Sequence, residues 1–430
     1  MTPVGHAMTT RGARTGGGAS RRAVRLVLRA VLVVVLLLVG SVVLAWLTAP
    51  GRGGLDGAAE RAAAWSGKPP LRDLADRAGI RFGSAVMVRD MRRDPQYSPL
   101  LAREFNSVTP FVEMKWGTIH PERDRYDFSQ ADELVEFAVR HRMRVRGHAL
   151  VYGQVVDPPN PEYLSRTTDP EALRALVAEH VRAVVGRYAG RVTAWDVVNE
   201  PLAWAGSDAQ GDGLARHVFS RTLGPGYIAE ALGLARRADP SAQLFVNEFG
   251  TLEPGPRQER MFRLVEDLRA AGAPLDAVGF QGHVVPLLRP GPTRAEMEAT
   301  LRRFAALGVR VEITELNVFT RTLKHVLTFG LAYDEAAELR RQADAYRDAV
   351  EACLAVPACQ GITLWTFTDR YPTTIETKTH LEDIPLVFDD DYRPKPAALA
   401  VREALARVTP RGGGAAIPSP AEPASEKEKP

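Results

Sequence analysis

The chain has 430 residues, 45% hydrophobic and 25% charged, the balance of a soluble globular protein with room for one large barrel or two ordinary domains. Its net charge of +3 comes from an arginine-rich start; the remainder is net acidic and has no basic stripe, so no nucleic-acid partner is expected.

Arg11, Arg14, Arg21, Arg22, Arg25 and Arg29 precede an uncharged, Val- and Leu-rich run at 30–47. At about 1.5 Å per residue this run spans about 27 Å, enough for a bilayer core. The basic flank stays in the cytoplasm, which sends the rest of the chain outside. The expected order is a cytoplasmic segment at 1–29 and a transmembrane anchor at 30–48, giving a single-pass protein of the cell membrane. The alternative is a cleaved signal peptide and secretion, but such peptides have a shorter apolar core of about 7–15 residues, and no clean A-x-A cleavage site follows the run here. Ser20-Arg21-Arg22 is weak evidence for a twin-arginine signal. Residues 49–67, rich in Gly and Ala, read as a linker, and 411–430 as a disordered tail.

Eight short apolar segments follow, at 81–88, 107–112, 144–151, 192–199, 243–247, 277–281, 310–314 and 361–365. Helical patterns separate them, for example at 129–141, 170–188, 256–271, 294–307 and 334–354. Eight alternations predict an α/β fold, a (β/α)₈ TIM barrel over 68–410. A doubly wound sheet would need a glycine-rich first turn, which Gly79-Ile80-Arg81-Phe82-Gly83 does not supply. Cys353 and Cys359 are the only cysteines and read as a local disulfide in an exported protein. The scattered histidines have no metal-ligand spacing, so neither a metal nor a cofactor is expected.

Two runs end abruptly in glutamate: Trp195-Asp196-Val197-Val198-Asn199-Glu200 and Val311-Glu312-Ile313-Thr314-Glu315. Carboxylates at two barrel strand ends are the pair that glycosidic cleavage requires, one acid and one nucleophile or base. Other strand ends add Lys115, Trp116, His148, Tyr152, Asn199, Asn247, Glu248, Gln281, His283 and Trp365. Amides and charges suit sugar hydroxyls, and an indole suits the apolar face of a sugar ring. Trp195 and Trp204 read as packing or rim groups, and His120, His141 and His180 as solvated surface residues. Glu248 reads equally as a substrate contact or as the partner of a nearby arginine.

Several motifs together resemble glycoside hydrolase family 10, mainly endo-β-1,4-xylanases. They are Phe105-Asn106-Ser107-Val108-Thr109-Pro110, Glu113-Met114-Lys115-Trp116, Arg146-Gly147-His148, Trp195 to Glu200, Gly279-Phe280-Gln281-Gly282-His283 and Ile313-Thr314-Glu315-Leu316. Gly361-Ile362-Thr363-Leu364-Trp365 and Pro385-Leu386-Val387-Phe388-Asp389 match as well, as does the cysteine spacing. The resemblance covers about 70–405 and implies a barrel acting with retention on a polysaccharide. By position it makes Glu200 the acid/base and Glu315 the nucleophile. Asn199 would bind the 2-hydroxyl, His283 would orient Glu315, and Lys115, His148, Gln281 and Trp365 would shape the adjoining subsite, with Asn247 a further substrate-binding residue.

The departures are local. Phe111-Val112 stand where the family usually has Glu-Asn, Tyr152-Gly153 where it has Trp-His, Val155 near a usual glutamine, and Tyr371-Pro372-Thr373-Thr374 where a Ser-Trp pair is usual. Asn317 replaces an aspartate. A lost charged hydrogen bond to substrate is worth about 1.5–3 kcal/mol, so ordinary xylan should be gripped weakly. Two explanations remain: a hydrolase for a different glycan, with Phe111 and Tyr152 making apolar contacts, or a carbohydrate-binding barrel without turnover. With neutral Asn317 behind it, His283 is expected to titrate low and sit neutral at pH 7.

Overall fold

Apolar segments buried on both faces become parallel strands when amphipathic helices cover them. The computed structural model describes residues 58–153, 159–204, 211, 213–286, 290–321, 333–371 and 383–408. The expected anchor, the tail, Val155 and 372–374 lie outside these residues, and none of the described helices is long and apolar enough to cross a membrane.

The strands are β1 (Arg81–Val86), β2 (Ser107–Pro110), β3 (Arg144–Tyr152), β4 (Ala194–Asn199), β5 (Gln243–Glu248), β6 (Ala277–Phe280), β7 (His283–Val284), β8 (Arg310–Val318) and β9 (Cys359–Leu364). Every pairing is parallel, and the β1–β9 and β6–β8 pairs close an eight-stranded barrel. The two-residue β7 pairs with β8 alone, opposite Asn317 and Val318. This pairing extends β8 four residues past its expected end, so Glu315 lies inside the strand and not at its tip.

Local chemistry sets the helix ends. The Asp169 side chain accepts from the Glu171 amide at the start of the Pro170–Arg187 helix, with Pro170 in its first turn. Thr293 and Glu296 form a capping box before Arg294–Ala305. The disulfide forms as expected, tying the Glu335–Ala355 helix to β9.

Two expectations need correction. Residues Ala58–Trp65, read as linker, form a helix. Trp65 is buried, 5.5 Å from Phe388 and 3.2 Å beneath the Arg402 guanidinium. Alanine favours helices, so a small-residue composition alone could not separate linker from helix here. His120 and His180 are not on the surface but fully buried, with His180 stacked 3.7 Å from Trp116 and 3.4 Å from His120 through their Nδ1 atoms. Burial holds the His180 imidazole well below its ordinary pKa, and the nearby His120 adds to the effect.

Inside the barrel, below the carboxyl ends of its strands, four charged side chains pair. Arg81 reaches Glu312 at 2.6 Å, and Arg146 binds Asp196 and lies 3.5 Å from Glu312. The Arg146 guanidinium also sits 4.0 Å over the Phe245 ring.

Candidate active site

Strand register gathers the site. Tyr152 pairs with Asn199, Asn199 with Asn247, and Asn247 with Gly279 across four neighbouring strands. The Asn247 Nδ2 donates to Asn199 Oδ1 and to Glu315 Oε1, both at 2.8 Å. Its orientation is fixed by Thr314, whose hydroxyl donates to Asn247 Oδ1 at 2.6 Å. Gly279 makes this possible, because a Cβ there would lie 2.3 Å from Asn247 Oδ1.

The two glutamates are held differently. Glu200 follows β4 with φ 52°, an uncommon left-handed conformation for a residue with a side chain, and it turns out of the strand. Gln281 Nε2 donates to its Oε1 at 3.0 Å, Asn199 Nδ2 approaches at 3.5 Å, and the Tyr152 hydroxyl also bonds the carboxyl. Burial raises the Glu200 pKa and the Glu315 charge raises it further, against the pull of Gln281 and Tyr152. Glu315 is bound by Asn247 on one oxygen and by His283 Nε2 on the other, at 3.2 Å.

His283 corrects a third expectation. Its Nδ1 lies 2.9 Å from Asn317 Oδ1, as the spacing suggests, yet its pKa is raised and not lowered. Burial works against the charged ring, but the hydrogen bond and charge of Glu315 outweigh it, and Asn317 helps as a neutral acceptor. The adjacent carboxylate, not the residue behind the ring, decides the direction.

The remaining expected residues fall into two groups. His148 Nδ1 lies 2.9 Å from Asp196 Oδ2, which links the mouth to the charged layer below. Burial disfavours the Asp196 charge, but Arg146 and His148 hold its pKa below the usual range. Trp365 is edge-on to His148 at 5.3 Å and is covered by Phe111, whose ring lies 4.7 Å away. Ala85, Met87 and Val112 complete this apolar wall, and the Lys115 ammonium sits 5.4 Å from the Phe111 ring centre.

Glu248 takes the ion-pair alternative: it is fully buried, with Arg257 at 2.9 Å and the Leu202 amide at 2.9 Å. Trp195 is packed away as expected, and Trp204 stands at the rim.

Sequence reasoning did not place the Tyr152 hydroxyl on Glu200, nor the support of Arg146 and Asp196. The available signal for the latter was a charge inside a buried apolar strand, which must find a partner. Gly153 has its own reason: a Cβ there would lie 2.2 Å from the His217 ring, which fills that space. Among the described residues, no group of three His, Cys, Asp or Glu side chains is arranged to hold a metal.

With one buried and one half-buried carboxylate in unlike surroundings and amides between them, the arrangement can favour the protonated form of Glu200. The profile described as Glycosyl hydrolase family 10 matches residues 70–404. Endo-1,4-beta-xylanase B of Thermotoga neapolitana is 35% identical over 339 residues, 78% of this chain and 91% of its own length. Beta-1,4-xylanase of Dictyoglomus thermophilum is 37% identical over 306 residues, covering 70% of this chain and 82% of the relative. Among solved structures, native xylanase 10B of Thermotoga maritima aligns with a TM-score of 0.70 at 33% identity, over 78% of this chain and 98% of that one.

Proposed function

Because this chain belongs to glycosyl hydrolase family 10, we propose that it cleaves β-1,4-xylan, or a related β-linked polysaccharide, with retention at the anomeric carbon. Glu315 attacks that carbon while Glu200 protonates the departing oxygen; Glu200 then takes a proton from water as water displaces the sugar from Glu315. The observation that carries this assignment is the unlike environment of the pair: Glu200 has a raised pKa, while Glu315 receives hydrogen bonds from Asn247 and His283. Asn199 faces the sugar 2-hydroxyl, and Gln281, Lys115, His148 and Trp365 line the subsite beside the bond.

The names of the relatives support a xylan-type backbone. The Phe111–Trp365 contact favours a second substrate reading alongside it, because apolar groups stand where charged and amide groups would grip hydroxyls. Undecorated xylan should therefore be a weaker substrate than the best member of a panel. The basic flank and the 30–48 run support anchorage in the membrane, with the barrel outside.

A glycan panel assayed for new reducing ends tests the function. The expected result is turnover of a β-linked polysaccharide, with bare xylan below the best. Binding without turnover of any member would establish the carbohydrate-binding alternative. Equal activity on bare xylan and the best substrate would remove Phe111 and Val112 as determinants of specificity.

A further inference from the structure

The strand that leads to Glu200 and the strand that leads to Trp365 face each other across the barrel. From β4 to β9 the closed sheet passes through β3, β2 and β1 one way, and through β5, β6 and β8 the other. Glu200 delivers its proton to the departing oxygen, so the leaving portion lies on its side of the bond. The retained portion then runs toward β9. Trp365 stands at that end, its amide donating to the Leu316 carbonyl at 3.0 Å, one residue past Glu315. The His148 and His283 rings lie 5.3 Å and 6.3 Å from the indole, both steeply inclined to it.

Phe111 occupies the space beside that indole. Its ring lies 4.7 Å from the indole with 34° between the planes. A sugar between the two rings would need about 3.5–4.0 Å of carbon contact on each side, which this separation does not leave. Phe111 is 3% exposed and Trp365 6%, so neither offers an open face on which a sugar could stack. The turn that carries Phe111 is pinned. Its amide donates to the Val86 carbonyl at 2.9 Å, tying the end of β2 to the end of β1. The buried Glu113 carboxylate accepts from the Val88 amide at 2.7 Å and from the Val112 amide at 3.1 Å. Ala85, Met87 and Val112 pack into the same cluster. Swinging the ring aside would break these contacts, so Phe111 is a fixed stop and not a lid.

We propose that Phe111 closes the cleft beyond the first sugar of the retained portion, so that the protein takes the non-reducing end of a β-linked chain. One ring fits between Glu315 and the Phe111–Trp365 wall, and a second retained ring meets the wall. A retained portion of one ring is what the terminal sugar of a chain supplies, because nothing follows it. Binding beyond that ring then comes from the leaving portion alone. This inference rests on the hydrolase reading and names the part of the glycan that the same site accepts.

The test uses three probes with the full chain. An aryl β-xyloside leaves one sugar on the retained side, an aryl β-xylobioside leaves two, and xylohexaose carries a label at its reducing end. If the glycan panel ranks another sugar first, the corresponding series of that sugar is used. The native chain should give the two aryl glycosides similar kcat/KM values and should shorten the hexaose one sugar at a time, with labelled pentaose first. In Phe111→Ala the ratio of xylobioside to xyloside should rise about 10-fold, mainly through a lower KM for the xylobioside. The opened space lies beside the Lys115 ammonium, 5.4 Å from the Phe111 ring centre, and a charged hydrogen bond to a sugar hydroxyl is worth at least about that factor. Phe111→Leu keeps much of the bulk and should raise the ratio less. A native chain that prefers the xylobioside by about 10-fold or more, or that first releases labelled di- or trisaccharide, overturns the stop alone. An unchanged ratio in folded Phe111→Ala does the same. A native chain that cleaves none of the probes overturns the hydrolase reading and the stop with it.

Discussion

The barrel interior holds two polar layers that solve the burial of charge in opposite ways. In the lower layer Arg81, Arg146, Asp196 and Glu312 pair cation with anion. In the upper layer Glu200 and Glu315 are held largely by neutral donors from Asn247, Gln281 and Tyr152, with His283 beside them. In the lower layer Arg146 and Asp196 hold each other charged, and so the pairing has a structural task. Amide and hydroxyl donors favour the charged carboxylate less than a cation does, and at Glu200 burial and the Glu315 charge outweigh them. That leaves Glu200 free to hold and release a proton, which acid/base chemistry demands.

The most severe way to break this contrast is to remove a glutamate from the upper layer. Glu315→Ala and Glu200→Ala should each lower turnover of natural glycan by 10³-fold or more, on the order seen when an essential group is lost. Azide should rescue Glu315→Ala with inverted product, and Glu200→Ala with retained product on an activated aryl glycoside. The same stereochemistry from both variants would undo the two roles.

Breaking the lower layer should instead show in stability. Arg146→Met leaves Asp196 buried without its arginine, a loss of about 3–5 kcal/mol, readable as a lower denaturation midpoint. An unchanged midpoint would mean that the lower layer is not a structural ion-pair layer.

A gentler perturbation of the upper layer is a pH experiment. Gln281 and Tyr152 both favour ionised Glu200, so removing either donor raises the Glu200 pKa. In the proposed mechanism Glu200 enters the first step protonated, so the alkaline limb of kcat/KM in Gln281→Leu and Tyr152→Phe should move to higher pH. A fall of about 10-fold in kcat should accompany it, as expected for a lost charge-assisted bond. An alkaline limb that stays in place would show that these donors do not act on the acid.

Much of this contrast was legible in the sequence. Alternating apolar segments and helices gave the barrel, and the two apolar runs closing on Glu200 and Glu315 gave the carboxylates that the site brings together, because both depend on local pattern. The parts that were not legible depend on contacts between distant residues. His120 and His180 read as surface residues, yet Trp116, Tyr126 and Tyr163 enclose them once the segments that follow β2 and β3 pack together. The extension of β8 depends on β7, two residues long and invisible as a pattern. The His283 direction was misread because the sequence placed Glu315 beside the ring but could not weigh its hydrogen bond and charge against burial and the neutral Asn317.

Asn317→Asp sharpens that last point and should have the smallest effect. A carboxylate behind His283 favours its charged form, which sets a fuller positive charge against the proposed nucleophile. Because Glu315 already raises the His283 pKa in the native chain, the acidic limb of kcat/KM should move only slightly, toward lower pH. A shift toward higher pH, or none, would show that the coupling through His283 is absent.

The central claim is that Glu315 forms the bond to sugar and Glu200 does not. Incubation with a 2-deoxy-2-fluoro glycoside bearing an activated leaving group, followed by peptide mapping in a mass spectrometer, reads this directly. The account predicts one sugar per chain, attached to the peptide containing Glu315. A label on Glu200, or turnover of the same reagent with no covalent adduct and an inverted product, would contradict it.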